Sequence, residues 1–395
     1  VRLPRILRLF TVICLALAVA GCWSRRELTE VAFAGVMGVD WADGQYLVTV
    51  NVRSPRKGGE SQAQGGPDIK TVSVAAHSID EGVAKLDNIL ARSLTLAHIR
   101  SVTIGEEMAE RGIGPILDHL LRTVEIRPTV RLGVAVGMAR DLLQARPFGE
   151  SAPGDGPLGY HETAMYRSSN VIARRLQEVG IILQEEGIDL TLPVFRLGNT
   201  PSPAENGAVS PSPEIQREVI YGGSALFRND RMVGWLSPDA TRGLANALDK
   251  AVHGGIIVPC KAPDRRMVFR MRKSEGSIRS SVVGGRLSGQ IVVSIIADLN
   301  EVTCPEEVLR DGDVVYLQDA LAREVRKNIL EAFERACEAE ADIFGFGEYT
   351  FRRSPQMFLG LAKHGYMSNM TVSVQVRPQV PRLGQLYRRY RWNER

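Results

Sequence analysis

Three kinds of residue in this sequence could do chemistry: a thiol behind a row of small residues, six histidines, and two glycine-rich turns. The thiol is Cys22 in Val19-Ala-Gly-Cys22. Small residues before it let an extended backbone enter a peptidase, and its sulfur can be alkylated. The histidines His77, His98, His119, His161, His253 and His364 occur singly, without the i, i+4 pairing of a helical zinc site. His161-Glu162 opens like a zincin motif, but Met165 stands where the second histidine belongs. Gly222-Gly-Ser-Ala-Leu226 fails the nucleophile-elbow pattern at its last glycine. Gly345-Phe-Gly347 lacks the third glycine of a dinucleotide loop, Thr350 standing in its place, and reads instead as a helix stop with a left-handed glycine. Arg352-Arg353 just beyond it are either a contact for an acidic partner or solvated. No nucleophile–base pair, metal set or cofactor loop assembles, so the expectation is a non-enzymatic chain without cofactor or metal.

The setting of Cys22 decides its role. Arg2, Arg5 and Arg8 precede the apolar run from Phe10 to Ala20, and Gly21-Cys22 follows at once. A positive segment, an apolar segment and a small-residue cleavage site make an export signal. The apolar run is shorter than the ~20 residues a permanent bilayer helix needs. Val19-Ala-Gly-Cys22 resembles the bacterial lipobox, whose cysteine receives a diacylglyceryl group before cleavage on its amino side. Residues 1–21 are therefore expected to be a removed lipoprotein signal peptide, Val1 an alternative start codon, and Cys22 the lipidation site that ties the chain to a lipid bilayer. A buried methylene contributes about 0.8 kcal/mol and one acyl chain holds only marginally, so two or three chains make a durable anchor.

Losing Arg2, Arg5 and Arg8 takes the net charge from +4 to +1. A near-neutral body has no basic face to neutralise phosphates, which excludes nucleic acid as a partner. The tail 381–395 is the local exception, ending Tyr387-Arg-Arg-Tyr-Arg-Trp-Asn-Glu-Arg395. It could lie on anionic headgroups or stay solvated. Cys260, Cys304 and Cys337 lack zinc-type spacing and read as small core residues, with a Cys260–Cys304 bridge as the alternative.

About 370 mature residues suggest two or three domains. Ala32–Val39 and Tyr46–Val52 read as strands joined by a hairpin at Asp43-Gly44. A polar stretch at 54–68 reads as a mobile loop, followed by a strand at Thr71–Ala76. Ser78-Ile-Asp-Glu81 predicts a capping box and a helix with apolar positions Ile79, Val83, Leu86 and Leu90. Then come a strand from Leu94 to Ile104, a helix from Glu106 to Val124 interrupted near Gly112 and Pro115, a strand from Thr129 to Val136, a helix from Ser169 to Glu186, and an apolar run Leu190–Phe195. The proline-rich segment 198–216 is expected to be a linker or exposed loop between an N-terminal region, 22–197, and a C-terminal one, 217–380. The latter divides further into 217–262 and 263–380. It offers strands at Val219–Phe227 and Met232–Leu236, a helix start at Ser237-Pro-Asp239, and antiparallel strands at Ile256–Cys260, Met267–Arg272, Ile278–Val283 and Gln290–Leu299. A long helix from Asp313 to Ala341 carries the stripe Leu317, Leu321, Val325, Ile329 and Phe333, and a last strand lies at Met370–Val376. Runs of strands followed by helices indicate a multi-domain α+β fold with mainly antiparallel or mixed sheets flanked by helices.

The segment Gly21-Cys-Trp-Ser-Arg-Arg-Glu-Leu28 resembles the start of the mature chain in the Ger(x)C family, the lipoprotein subunits of spore germinant receptors. The likeness continues through Gly35–Asp40, His98–Gly105, Leu120–Arg127, Tyr221–Phe227, Val233–Leu236 and Asp342–Gly347. Ser24 stands where that family usually has Asp, and Met357-Phe358 and Gly365-Tyr366 stand where tryptophans are expected. The resemblance implies a mixed α/β lipoprotein on the outer face of the spore inner membrane. Its partners would be two integral-membrane receptor subunits, with which it would start germination in response to a nutrient ligand. The alternatives are a solute-binding lipoprotein of a transporter, which would carry two parallel-sheet lobes around a cleft, and an envelope hydrolase, for which no catalytic pair is found. If ligand or partners touch this chain through loops, 54–68 and 198–213 are the exposed candidates.

Overall fold

A computed structural model describes residues 30–53, 69–145, 169–201, 215–260, 265–303 and 313–382, with Phe10, Pro157, Gly159 and His161 as single positions. Cys22, the loop 54–68, most of the proline-rich segment and the tail beyond Arg382 lie outside the described residues.

Alternating apolar residues and a two-residue turn start the first sheet. Strand β1 (Val31–Ala42) pairs antiparallel with β2 (Gln45–Arg53), and β2 with β3 (Ile69–Ala76). Asp43 and Gly44 both take positive φ, as the hairpin signal requires. Helix α1 (Ile79–Ile89) follows, with the Ser78 hydroxyl accepting from Glu81 N at 3.1 Å. The reciprocal bond runs one residue further back than a capping box predicts: Glu81 Oε2 accepts from His77 N at 2.8 Å.

The expected strand from Leu94 to Ile104 is broken into β4 (Ser93–Thr95) and β5 (Ser101–Gly105) by a turn at Ala97 and His98. Helices α2 (Glu106–Arg111) and α3 (Gly114–Arg122) separate at Gly112, and β6 (Arg131–Ala135) and α4 (Ala139–Gln144) follow. The helix expected from Ser169 to Glu186 covers only α5 (Leu176–Ile182), because Arg174 and Arg175 pair instead with β6 as β7.

Strand β8 (Thr191–Pro201) then pairs antiparallel with β9 (Ile215–Arg228), and β9 with β10 (Arg231–Leu236). The segment 198–216 is therefore not a linker between sheets. Its two ends are paired strand, from Gly198 opposite Glu218 to Pro201 opposite Ile215. The sheet order is β10-β9-β8-β6-β5-β1-β2-β3, with β1, β5, β6 and β8 parallel at the centre and antiparallel wings on both sides. One face packs on α1, α2, α3 and α5 through Leu86, Met108, Leu120 and Val179, and the other on α4 through Leu142 and Phe195.

The second sheet is β11 (Gly254–Pro259), β12 (Arg266–Val283), β13 (Arg286–Val302) and β14 (Thr371–Gln379), in that order. The expected division at 262/263 falls between β11 and β12, which are neighbours in it. The two strands expected at 267–272 and 278–283 are one strand, since Lys273 to Ser277 pair with β13 from Ile296 to Val292. Only β14 is parallel to its neighbour, the long helix α7 (Asp313–Glu338) lying between β13 and β14 in the chain. Strand β13 alternates strictly, burying Ile291, Val293, Ile295, Ala297 and Leu299 against α7 and against α6 (Pro238–Ala247), whose first turn is capped by Ser237. All five residues of the α7 stripe are buried. Cys260 is disulfide-bonded and Cys337 is free; Cys304 lies outside the described residues.

Leu321 is fully buried beneath the second sheet, whereas Val315, on the same helix, is 64% exposed. Leu321→Ala should lower stability by about 2–5 kcal/mol and Val315→Ala by less than about 0.5 kcal/mol, read by urea denaturation.

Candidate functional site

The sequence-predicted candidates for chemistry do not converge. Ser224 is wholly buried, its hydroxyl accepting from Thr241 Oγ1 at 3.2 Å. The glycines before it serve a crossing of backbones: Gly223 has φ +107, and a Cβ there would stand 1.9 Å from Leu236 O. His161 is buried edge-on to Phe195, ring centroids 5.3 Å apart, and burial beside Arg131 pushes its pKa down to about 3, so it is neutral. His98 packs edge-on to Phe33, and His119 Nδ1 faces Asp80 at 2.9 Å. The His253 backbone meets Ser169 Oγ, which accepts from its N–H at 3.0 Å and donates to its carbonyl. Among the described residues no three His, Cys, Asp or Glu side chains converge as a metal site would require. The arginine pair is engaged locally, Arg352 with Glu348 and Arg353 over the Tyr349 ring at 4.3 Å.

What the structure does bring together is a buried polar junction around Asp342. Helix α7 ends in a Schellman turn, Glu340 left-handed and Ala341 N donating to Ala336 O at 2.9 Å. The chain then reaches Asp342-Ile-Phe-Gly-Phe-Gly347. Gly345 is left-handed as expected, but it opens helix α8 (Phe346–Arg353) rather than closing α7. Asp342 is 1% exposed, and its partners are neutral donors. The carboxylate accepts from Gly345 N (2.8 Å), Phe346 N (3.2 Å), Gly347 N (2.7 Å) and the Tyr366 hydroxyl (2.8 Å). Tyr366 in turn packs edge-on to Phe358 of α9 (Pro355–Ala362), centroids 5.4 Å apart. The two positions that depart from tryptophan thus both belong to this cluster.

The same loop is tied to the first sheet. Asp189, just before β8, accepts from Asp342 N at 2.7 Å and from Asn229 N at 3.2 Å, while its own N–H donates to Asp342 O at 2.8 Å. Glu348 N donates to Gly187 O at 2.8 Å. Here two backbones touch directly: a Cβ on Gly187 would lie 2.3 Å from Gly347 C, and one on Gly347 would lie 2.4 Å from the Tyr366 hydroxyl. Leu226 and Leu236 of the first sheet belong to the apolar core of the second, so the junction is apolar as well as hydrogen-bonded. A second buried carboxylate does a similar task within the first sheet. Asp40, at the far end of β1, accepts from Ala139 N (2.6 Å) and Arg140 N (3.0 Å) and so caps α4.

These two knots account for segments Gly35–Asp40 and Asp342–Gly347 as devices of architecture, and they set the geometry against which relatives can be compared. Residues 24–197 match the family model described as "Spore germination protein N-terminal domain", and residues 222–384 match "Spore germination B3/ GerAC like, C-terminal". The chain belongs to the Ger(x)C family. Among proteins of Bacillus subtilis (strain 168), this Ger(x)C protein is 22% identical to spore germination protein KC, with 92% of each chain covered, and 23% identical to spore germination protein B3, with 74% of each covered. The crystal structure of the GerBC protein superposes with a TM-score of 0.54 at 16% identity, covering 87% of this chain and 96% of that one. The mixed α+β architecture is thus a Ger(x)C fold, and membership associates the chain with spore germination.

Burial raises the Asp342 carboxyl to about 6, and Asp189 beside it acts in the same direction, while the Gly347 and Phe346 N–H groups and the Tyr366 hydroxyl pull it back. Between pH 4 and pH 6 the folded protein therefore holds a proton that the unfolded chain has released. That contribution favours folding at low pH and is lost as pH rises through 6. Asp342→Asn should be destabilised at every pH, because its amide cannot accept from all four donors. Its deficit against wild type should shrink by up to about 3 kcal/mol between pH 4 and pH 7. Denaturant titration at both pH values reads the difference, and a deficit that widens with pH would contradict this assignment.

Proposed function

We propose that this chain is the lipid-anchored, non-catalytic C subunit of a germinant receptor, held on the outer face of the spore inner membrane by an acyl group on Cys22. There it works with membrane-embedded subunits of the same complex in nutrient-triggered germination. The observation that carries this reading is the family match over both halves of the chain, in order. It is joined to the sequence Val19-Ala-Gly-Cys-Trp-Ser-Arg-Arg-Glu-Leu28, which couples the lipidation signal to the family's opening residues. No described helix is long and apolar enough to cross a membrane, and in this reading the lipid supplies the attachment.

The role fits a body whose buried polar turns are spent on rigidity. Asp342 holds a loop, Asp40 caps a helix, and Ser224 meets Thr241 of α6; none presents a reactive atom to solvent. A solute-binding lipoprotein of a transporter is less well supported, because β11, β12 and β13 are antiparallel and the two sheets share apolar core instead of enclosing a cleft as two lobes.

Cys22→Ala should leave the folded body unchanged by circular dichroism and thermal unfolding while moving the protein out of the membrane fraction. Intact-mass measurement of wild type should show the added diacylglyceryl mass on the peptide that begins at Cys22. Equal membrane recovery of variant and wild type would overturn the anchor.

A further inference from the structure

A solvent-exposed apolar side chain is ordinary when it stands alone and informative when several share one end of a molecule. Helices α1, α3 and α5 all finish at the amino-terminal edge of the first sheet's parallel strands. Ile89 closes α1 four residues before Ser93, which pairs with Val31, the first residue of β1. Leu121 and Val124 lie on either side of the end of α3, and Glu125 beside them accepts from Leu96 N at 3.1 Å, one residue beyond β4. Ile181, near the end of α5, adjoins Gly180, where a Cβ would lie 3.5 Å from Leu121 Cδ1.

Helix α9 joins this edge from the second half of the chain. Val36, Ser101 and Arg131 are aligned across β1, β5 and β6, and Thr191 of β8 falls on the same line, three residues before the Val134–Val194 pair. The start of β8 is therefore about 14 Å from β1 along the edge, at ~4.8 Å per strand. Gly187 precedes it and touches Gly347, and a Cβ on Gly347 would in turn lie 2.6 Å from Phe358 Cε2 of α9. Pro355–Ala362 contains no charged residue and buries Phe358 alone, leaving Met357 and Leu359 outward. Ile89, Leu121, Val124, Ile181, Met357 and Leu359 are each between 46% and 99% exposed. Among the described residues the opposite edge of the sheet exposes one large apolar side chain, Val136.

The path of the chain identifies what covers this end. Cys22 precedes Val31 by nine residues, a reach of at most about 30 Å. A lipid on Cys22 therefore keeps the amino-terminal edge at the bilayer surface, while the opposite edge stands the length of β1 further away. Apolar side chains that enter the headgroup region add to the hold of an acyl chain. We propose that this edge, with α9, lies against the bilayer, Met357 and Leu359 entering the headgroup region; the proposal rests on the lipid anchor proposed above.

The test is amide hydrogen exchange read by mass spectrometry on the full lipidated chain in vesicles of phosphatidylcholine and phosphatidylglycerol (3:1), against the Cys22→Ala chain in buffer. Amides of residues 355–362 should exchange at least about fivefold more slowly on vesicles, and those of residues 41–46, in the hairpin at the opposite edge, at an unchanged rate. Met357→Gln with Leu359→Gln, both exposed, should abolish the slowing in 355–362 while the chain stays in the vesicle fraction. Val136→Gln should leave it intact. Equal rates on vesicles and in buffer, or slowing that survives the double variant, would overturn the proposal. Slowing in native membranes but not in pure lipid vesicles would assign the face to a protein and overturn the bilayer as its occupant. Intact mass separates this proposal from the anchor. Acylated, vesicle-bound protein without slowing keeps the anchor and overturns the face. Unacylated protein that the vesicles still slow does the reverse, and unacylated protein that they do not slow overturns both.

Discussion

A carboxyl sealed from water without a cation beside it must be met by hydrogen-bond donors, because each one left unmet costs several times what a satisfied bond contributes. Asp342 is in that position, and four donors meet it: three N–H groups of the turn that follows it and one phenol. Satisfying it fixes the loop between α7 and α8, the start of α8, and the ring of Tyr366 ahead of β14. Because the Asp342 backbone also exchanges two bonds with Asp189, the same solution fixes the approach to β8 in the other sheet. The close backbone contact of Gly187 with Gly347 is a condition of that geometry.

The two sheets are thereby one mechanical body. Their apolar cores meet at Leu226 and Leu236, and the Asp189–Asp342 bonds join them as well. Ser169 adds a further tie, its hydroxyl accepting from Val252 N and His253 N.

Much of this is legible in the sequence where a local rule and the tertiary environment agree. The Asp43-Gly44 hairpin, the Ser237 cap and the five-residue stripe of α7 all appear where pattern places them. Pattern misleads where strand pairing overrides it. Lys273-Ser-Glu-Gly-Ser277 has the composition of a turn, yet β13 supplies a complete partner for it. Proline-rich 198–216 looks like a linker, but its ends continue a hairpin of the first sheet. Arg174-Arg175 sits in a helical pattern and pairs with β6 instead. The segment Asp342–Gly347 is visible as a signature, but its role is not, since Asp189, Gly187 and Tyr366 come from distant stretches of the chain.

Whether the buried junction joins both sheets into one folding unit is tested most directly by calorimetric unfolding. The wild-type chain should show a single cooperative transition, its calorimetric and van't Hoff enthalpies agreeing, and two resolved transitions should appear when Gly347→Val forces Gly187 and Tyr366 apart. Two independent transitions in the wild-type protein would contradict the claim.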